Sequence, residues 1–99
     1  MNLLNLTVEV HCLHLCPNIG YRLYSDNDLL AERNWRWGLN VHIEEDIWVN
    51  LPLGIVHSIS IEPVKTKHSP TFVLKNFKIN SDHPIHVIST TERAVAFRI

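Results

Sequence analysis

From Leu4 to Cys12 an apolar side chain falls at every second position: Leu4, Leu6, Val8, Val10 and Cys12, with Asn5, Thr7, Glu9 and His11 between them. A period of two places the first set on one face of an extended chain and the second on the other, an arrangement that an α-helix scatters around its axis. The pattern predicts a half-buried strand over residues 3–13. The same alternation returns along the chain, and helical periodicity is nearly absent. His57, Ile59 and Ile61 share a face with Ile55, while Ser58, Ser60 and Glu62 point the other way; Val95, Phe97 and Ile99 fall in phase at the end.

Turn chemistry separates these runs. "CPNIG" after the first strand, "DND" at 26–28, "LPLG" at 51–54 and "NSDHP" at 80–84 supply the Pro, Gly, Asn and Asp that tight reversals need. "YRLYS" and "LLAER" around "DND" read as a hairpin. "NWRWG" and "PVKTKHSP" read as loops, and "LNVHI" with "DIWVNL" as one interrupted or two short strands. In "TFVLKNFKIN", Phe72 and Leu74 are in phase but Phe77 and Ile79 have switched, which predicts a β-bulge near Lys75–Asn76. The expectation is a single all-β domain over 1–99, an antiparallel β-sandwich of jelly-roll or immunoglobulin-like topology with eight to nine short strands. Ile59 and Ile61 are expected in its core, with Phe72, Leu74 and Phe97 as the facing layer.

Ninety-nine residues suit one such domain. No apolar run approaches the roughly 20 residues of a membrane helix, and "MNLLNLTVEV" has neither the basic start nor the small-residue cleavage site of a signal peptide. The expectation is a soluble protein, cytoplasmic on synthesis and able to end in a virion. The formal charge is −1, close to neutral, which does not favour nucleic-acid binding. Its distribution is uneven: residues 1–50 carry seven acids and three bases, residues 51–99 six bases and three acids. Such a split can draw one copy toward another.

"HCLHLC" gathers His11, Cys12, His14 and Cys16 within six residues. On a straight strand Cys12 and Cys16 lie about 13 Å apart, too far to share a zinc whose sulfur bonds are about 2.3 Å long. A disulfide between them needs Cα atoms within about 7 Å. Packing asks for less, because Cys12 continues the buried face of Leu4 through Val10. The expectation is therefore no metal and no cofactor, with Cys12, His14 and Cys16 as the outside candidates for a metal. Glu44, Glu45 and Asp46, and likewise Asp26 and Asp28, have the ligand chemistry of a calcium site but read more simply as a solvated strand start and a turn. His57 is the one histidine on an apolar face, the mark of a hydrogen-bonded core residue.

No enzyme template fits. There is no Gly-rich phosphate loop, no His-Glu-x-x-His and no Gly-x-Ser-x-Gly. The remaining candidate is the loop "RNWRWG", where Trp35, Arg36 and Trp37 stand beside Arg33. Clustered Trp and Arg have the composition of binding hot spots, and Trp planes stack on sugar rings. Capping of the sandwich core is the competing use of the same rings.

The order "YRLYSDNDLLAERNWRW", "IEEDIWVNLPLGIVHSISIEP", "FVLKNFKIN" resembles small β-sandwich proteins of marine tailed phages, cyanophages especially, over residues 21–80. The resemblance implies a compact sandwich and a viral origin, and it carries over no catalytic or binding residue. "LKNFKIN" is similar to the strand-turn of carbohydrate-binding sandwich modules, an analogy of fold alone. These readings lead to a non-enzymatic module that acts by association. It is expected to form a homo-oligomer, with virion proteins as further partners. The alternative is a small carbohydrate-binding module that takes glycan on the Trp-rich loop. The C-terminal strand, running to Ile99, is expected to be an exposed edge that promotes self-association.

Overall fold

The computed structural model describes residues 2–13, 19–36, 41–64 and 72–99. Eight strands follow in chain order: β1 (Asn2–Cys12), β2 (Gly20–Ser25), β3 (Asp28–Asn34), β4 (His42–Leu51), β5 (Val56–Val64), β6 (Phe72–Asn80), β7 (His86–Thr90) and β8 (Ala94–Arg98). They form two antiparallel sheets, β4-β1-β6 and β3-β2-β5-β8-β7, and no helix occurs among the described residues. Among the described strands, only β2–β3 and β7–β8 are hairpins within a sheet. Every other connection crosses between the sheets, which is how alternating faces come to share one interior.

The alternation in β1 is realised residue by residue: Leu4, Leu6, Val8, Val10 and Cys12 are all buried. They meet Tyr21, Leu23, Ile59, Ile61 and Phe97 of the five-stranded sheet, with Phe72 and Leu74 of β6 beside them. Phe97 does not belong to the layer facing Ile59. It lies in β8, paired to β5 in the register His57↔Phe97 and Ile59↔Val95, so it shares a sheet with Ile59 and Ile61.

The bulge predicted in β6 is present. Thr7 pairs with Lys78 and Glu9 with Lys75, so two steps along β1 match three along β6. Asn76 takes up the extra residue at φ 53°, a left-handed conformation that asparagine tolerates. The "DND" hairpin is equally plain, with Asp26 at φ 53°. Gly54 closes the turn after β4 at φ 78°.

Several expectations are corrected. "LNVHI" and "DIWVNL" contribute to one continuous strand, β4, and its alternation turns Glu45 inward while Glu44 and Asp46 stay exposed. Ile55 sits in a bend before β5 and is exposed, because the strand begins only at Val56. β5 runs on through Pro63 to Val64. Beyond Ser60 it has no β8 partner, so the N–H that Pro63 lacks need not be missed by that ladder. The C-terminal strand is not an edge, since β8 is paired on one side by β5 and on the other by β7. The "CPNIG" turn and the "PVKTKHSP" loop fall largely outside the described residues.

Candidate functional site

The Trp-rich loop leaves β3 at Asn34 and returns toward the core. The N–H of Trp35 donates to the carbonyl of Ile19 at 2.8 Å, which pins the chain where β2 begins. The indole is only 7% exposed. It meets Phe72 edge-on at 5.7 Å between ring centroids and tilts against Tyr21 at 6.4 Å. Trp35 therefore caps the core and is no stacking platform: its apolar area is already spent on Phe72 and Tyr21. Arg36 is exposed beside it, and Trp37 lies outside the described residues.

Arg33 reaches across to the other sheet. Its Nε donates to Glu45 Oε1 at 3.1 Å and its Nη2 to Oε2 at 3.4 Å. Tyr21 donates its hydroxyl to the same Oε1 at 2.5 Å. Glu45 is 5% exposed, a position where a carboxylate persists only with donors at hand. Burial, and then the hydrogen bond to Glu45, push the Tyr21 hydroxyl far above its ordinary pKa. The Glu45 hydrogen bond and charge raise Arg33 as well. Two strands of one sheet and one of the other are thus tied by a single carboxylate. Arg33 is committed to this tie rather than held free for a partner.

Cys12 is buried in the core, as its phase in β1 requires. His14 and Cys16, the other members of "HCLHLC", lie outside the described residues. His11, the first residue of that stretch, is on the opposite face from Cys12 and belongs to a different group.

That group lies on the outer face of the three-stranded sheet. His11 and His42 are direct partners in the β1–β4 ladder, and Glu9 stands two residues before His11 on the same face. His11 Nε2 is 2.9 Å and His42 Nε2 is 3.8 Å from Glu9 Oε1. The two imidazoles stack with centroids 4.9 Å apart and planes inclined by 26°. Asn76, the bulge residue, donates Nδ2 to Glu9 Oε2 at 2.7 Å. The hydrogen bond from His11, then that from Asn76, hold the Glu9 carboxyl below its ordinary pKa. A recess of about 40 Å³ opens beside it between Thr7, Val8, Glu9, Glu44, Asn76 and Lys78.

Sequence reasoning missed this trio, although Glu9 and His11 share the polar face of a strand that the alternation identifies. What it lacked was the partner strand: His42 is 31 positions further on, and only the β1–β4 register brings it opposite His11. Trp48 was missed too. It is 64% exposed, out of phase with buried Ile47, Val49 and Leu51, and stands on the same outer face. No family model, curated protein or solved structure matches the chain.

Proposed function

We propose that this protein is a non-enzymatic β-sandwich module that works by association, and that its first partner is a second copy of itself, paired through β7. One observation carries the reading. Of the four strands at sheet edges among the described residues, β3 carries Asp28, Glu32 and Arg33, β4 carries Glu44, Glu45 and Asp46, and β6 carries Lys75 and Lys78. β7, with the sequence HVIST, carries no Asp, Glu, Lys or Arg. All five of its residues are exposed, Val87 by 56% and Ile88 by 53%.

An open edge offers unpaired N–H and C=O groups to any extended chain, and charged side chains are the usual protection. Two-fold pairing sets each edge against its own kind. At β4 that brings acids to acids and at β6 lysines to lysines, which is unfavourable. β7 meets itself without this cost. The phage resemblance of residues 21–80 motivates the setting, an accessory or structural component of a virion, where such an edge also fits other extended partners. The carbohydrate reading loses support with Trp35 in the core, and among the described residues Trp48 is the one exposed tryptophan, a single plane where a sugar-binding platform gains from several.

Sedimentation equilibrium at micromolar concentration tests the pairing. The wild type is expected at twice the 11.5 kDa chain mass. Ile88→Lys, which puts a charge on an already exposed position, is expected at the monomer mass with an unchanged far-ultraviolet circular dichroism spectrum. A monomeric wild type, or a dimer that survives both Ile88→Lys and Val87→Lys, would remove β7 as the interface.

A further inference from the structure

We infer that Glu9, His11 and His42 form a binding site for a divalent transition-metal ion of zinc-like chemistry, with an open coordination position facing solvent. Two imidazoles and one carboxylate are the donor set of many open zinc sites, in which three protein ligands leave the fourth position to water or to an incoming group. With bonds of about 2.0–2.2 Å, neighbouring ligand atoms of a tetrahedral zinc lie roughly 3.3–3.6 Å apart. Here the Nε2 atoms of His11 and His42 are 2.9 and 3.8 Å from Glu9 Oε1, values on either side of that separation. One ligand atom from each of Glu9, His11 and His42 lies within 4.8 Å of the other two. Small side-chain rotations on a fixed backbone therefore close the site.

The backbone under the trio is the least adjustable kind. Two ligands come from adjacent same-face positions of β1, and the third is a direct cross-strand partner, so their Cα positions are set by the ladder rather than by a loop. The Glu9 oxygen not used for His11 and His42 is already held by Asn76, a carboxylate-orienting contact of the sort found behind metal ligands. The bulge has a use here, since the extra residue in β6 is the one that holds Glu9.

The surrounding charges point the same way. Glu44 is the direct partner of Glu9 across β1–β4, and two carboxylates opposite each other on one sheet face are mutually repulsive. A divalent cation between the histidines and the recess relieves that repulsion. Lys75 is the partner of Glu9 on β6 and Lys78 lines the recess, so part of the acidic charge is already balanced. The site thus depends on nitrogen donors more than on bulk charge, which selects borderline metals over calcium or magnesium.

The test is isothermal titration of chelator-treated protein with zinc chloride, with cobalt(II) absorption as a second readout of nitrogen ligation. The wild type is expected to bind one equivalent more tightly than His42→Ala by about 100-fold, and Asn76→Ala is expected to weaken it by about 10-fold, the lower end of the range for an orienting contact. His42 is half exposed, so His42→Ala is expected to keep the wild-type circular dichroism spectrum. Millimolar calcium should not compete. Zinc binding of equal strength in wild type and His42→Ala assigns the ion to other histidines and overturns the proposal. Absence of saturable binding, or displacement by calcium, overturns it as well.

Discussion

Among single residues, His57 is buried at 4% exposure with both ring nitrogens held. Its Nδ1 lies 3.0 Å from Asp26 Oδ2 and its Nε2 2.9 Å from the carbonyl of Pro52. Both partners accept and neither donates, so both bonds are made only when both ring nitrogens carry a proton. Burial pushes the imidazole pKa down, but the Asp26 carboxylate and the Pro52 carbonyl together outweigh it, and the net direction is up. A folded-state pKa above the unfolded value gives stability that is complete below the ordinary value of 6.5 and is lost as pH rises through the folded pKa. The thermal midpoint should therefore fall as pH climbs above that value. Asp26→Asn, which removes the charge favouring imidazolium, should flatten that slope; an equal slope in both proteins would show that the Asp26 charge does not set it. His57 itself was legible from its place in the apolar phase of β5. Its partner was not, because Asp26 reads as a turn former and serves as one. The Ser58 N–H donates to Asp26 Oδ1, and the Asp26 N–H to the Ser58 carbonyl, contacts set by the β2–β5 register and invisible to local turn chemistry.

At the scale of elements, apolar packing joins the two sheets, and among the described residues two polar contacts add to it: the Leu74 N–H donates to the Glu92 carbonyl at 2.8 Å, and Glu45 holds Tyr21 and Arg33. Tyr21→Phe takes a donor from a buried carboxylate and should cost about 1–3 kcal/mol, whereas replacing an exposed acid of the same run, Glu44, should cost far less. Phe97→Ala opens a void in the fully buried layer of β8 and should cost about 3–5 kcal/mol. Denaturant titrations of the three variants check both statements, and a Phe97→Ala loss below about 1 kcal/mol would contradict the assigned core. Gly20 explains why β2 and β3 meet so closely at the tie: a Cβ there would stand 2.5 Å from the Arg33 carbonyl oxygen. The acidic run at 44–46 shows where sequence reading ran short. Three consecutive acids look solvated, yet in a strand the middle one must face opposite to its neighbours, and here that face is the core. The bulge, by contrast, was fully legible, since a switch of phase between Leu74 and Phe77 has no other economical cause in an extended chain.

At the scale of the molecule, alternation and turn spacing were enough for the class of fold and the number of strands, because a period of two states which face is buried. It says nothing about which strand lies beside which. For that reason alternation alone leaves the C-terminal strand looking like an edge although β8 is enclosed, and gives no sign that β7, five residues with no buried member, is the open one. The same limit hid the trio on the outer face, whose members share a sheet side by register and not by sequence. Amide hydrogen exchange across a concentration series reads the proposed pairing of β7 with a second copy directly. Backbone amides of His86–Thr90 that point away from β8 exchange freely in a monomer and are protected once another strand pairs with them. Their exchange is expected to slow as protein concentration rises through the dimerisation range, while amides of β3, the other edge of that sheet, keep a constant rate. Exchange in β7 that is independent of concentration, in a sample whose mass also stays at 11.5 kDa, would contradict that pairing.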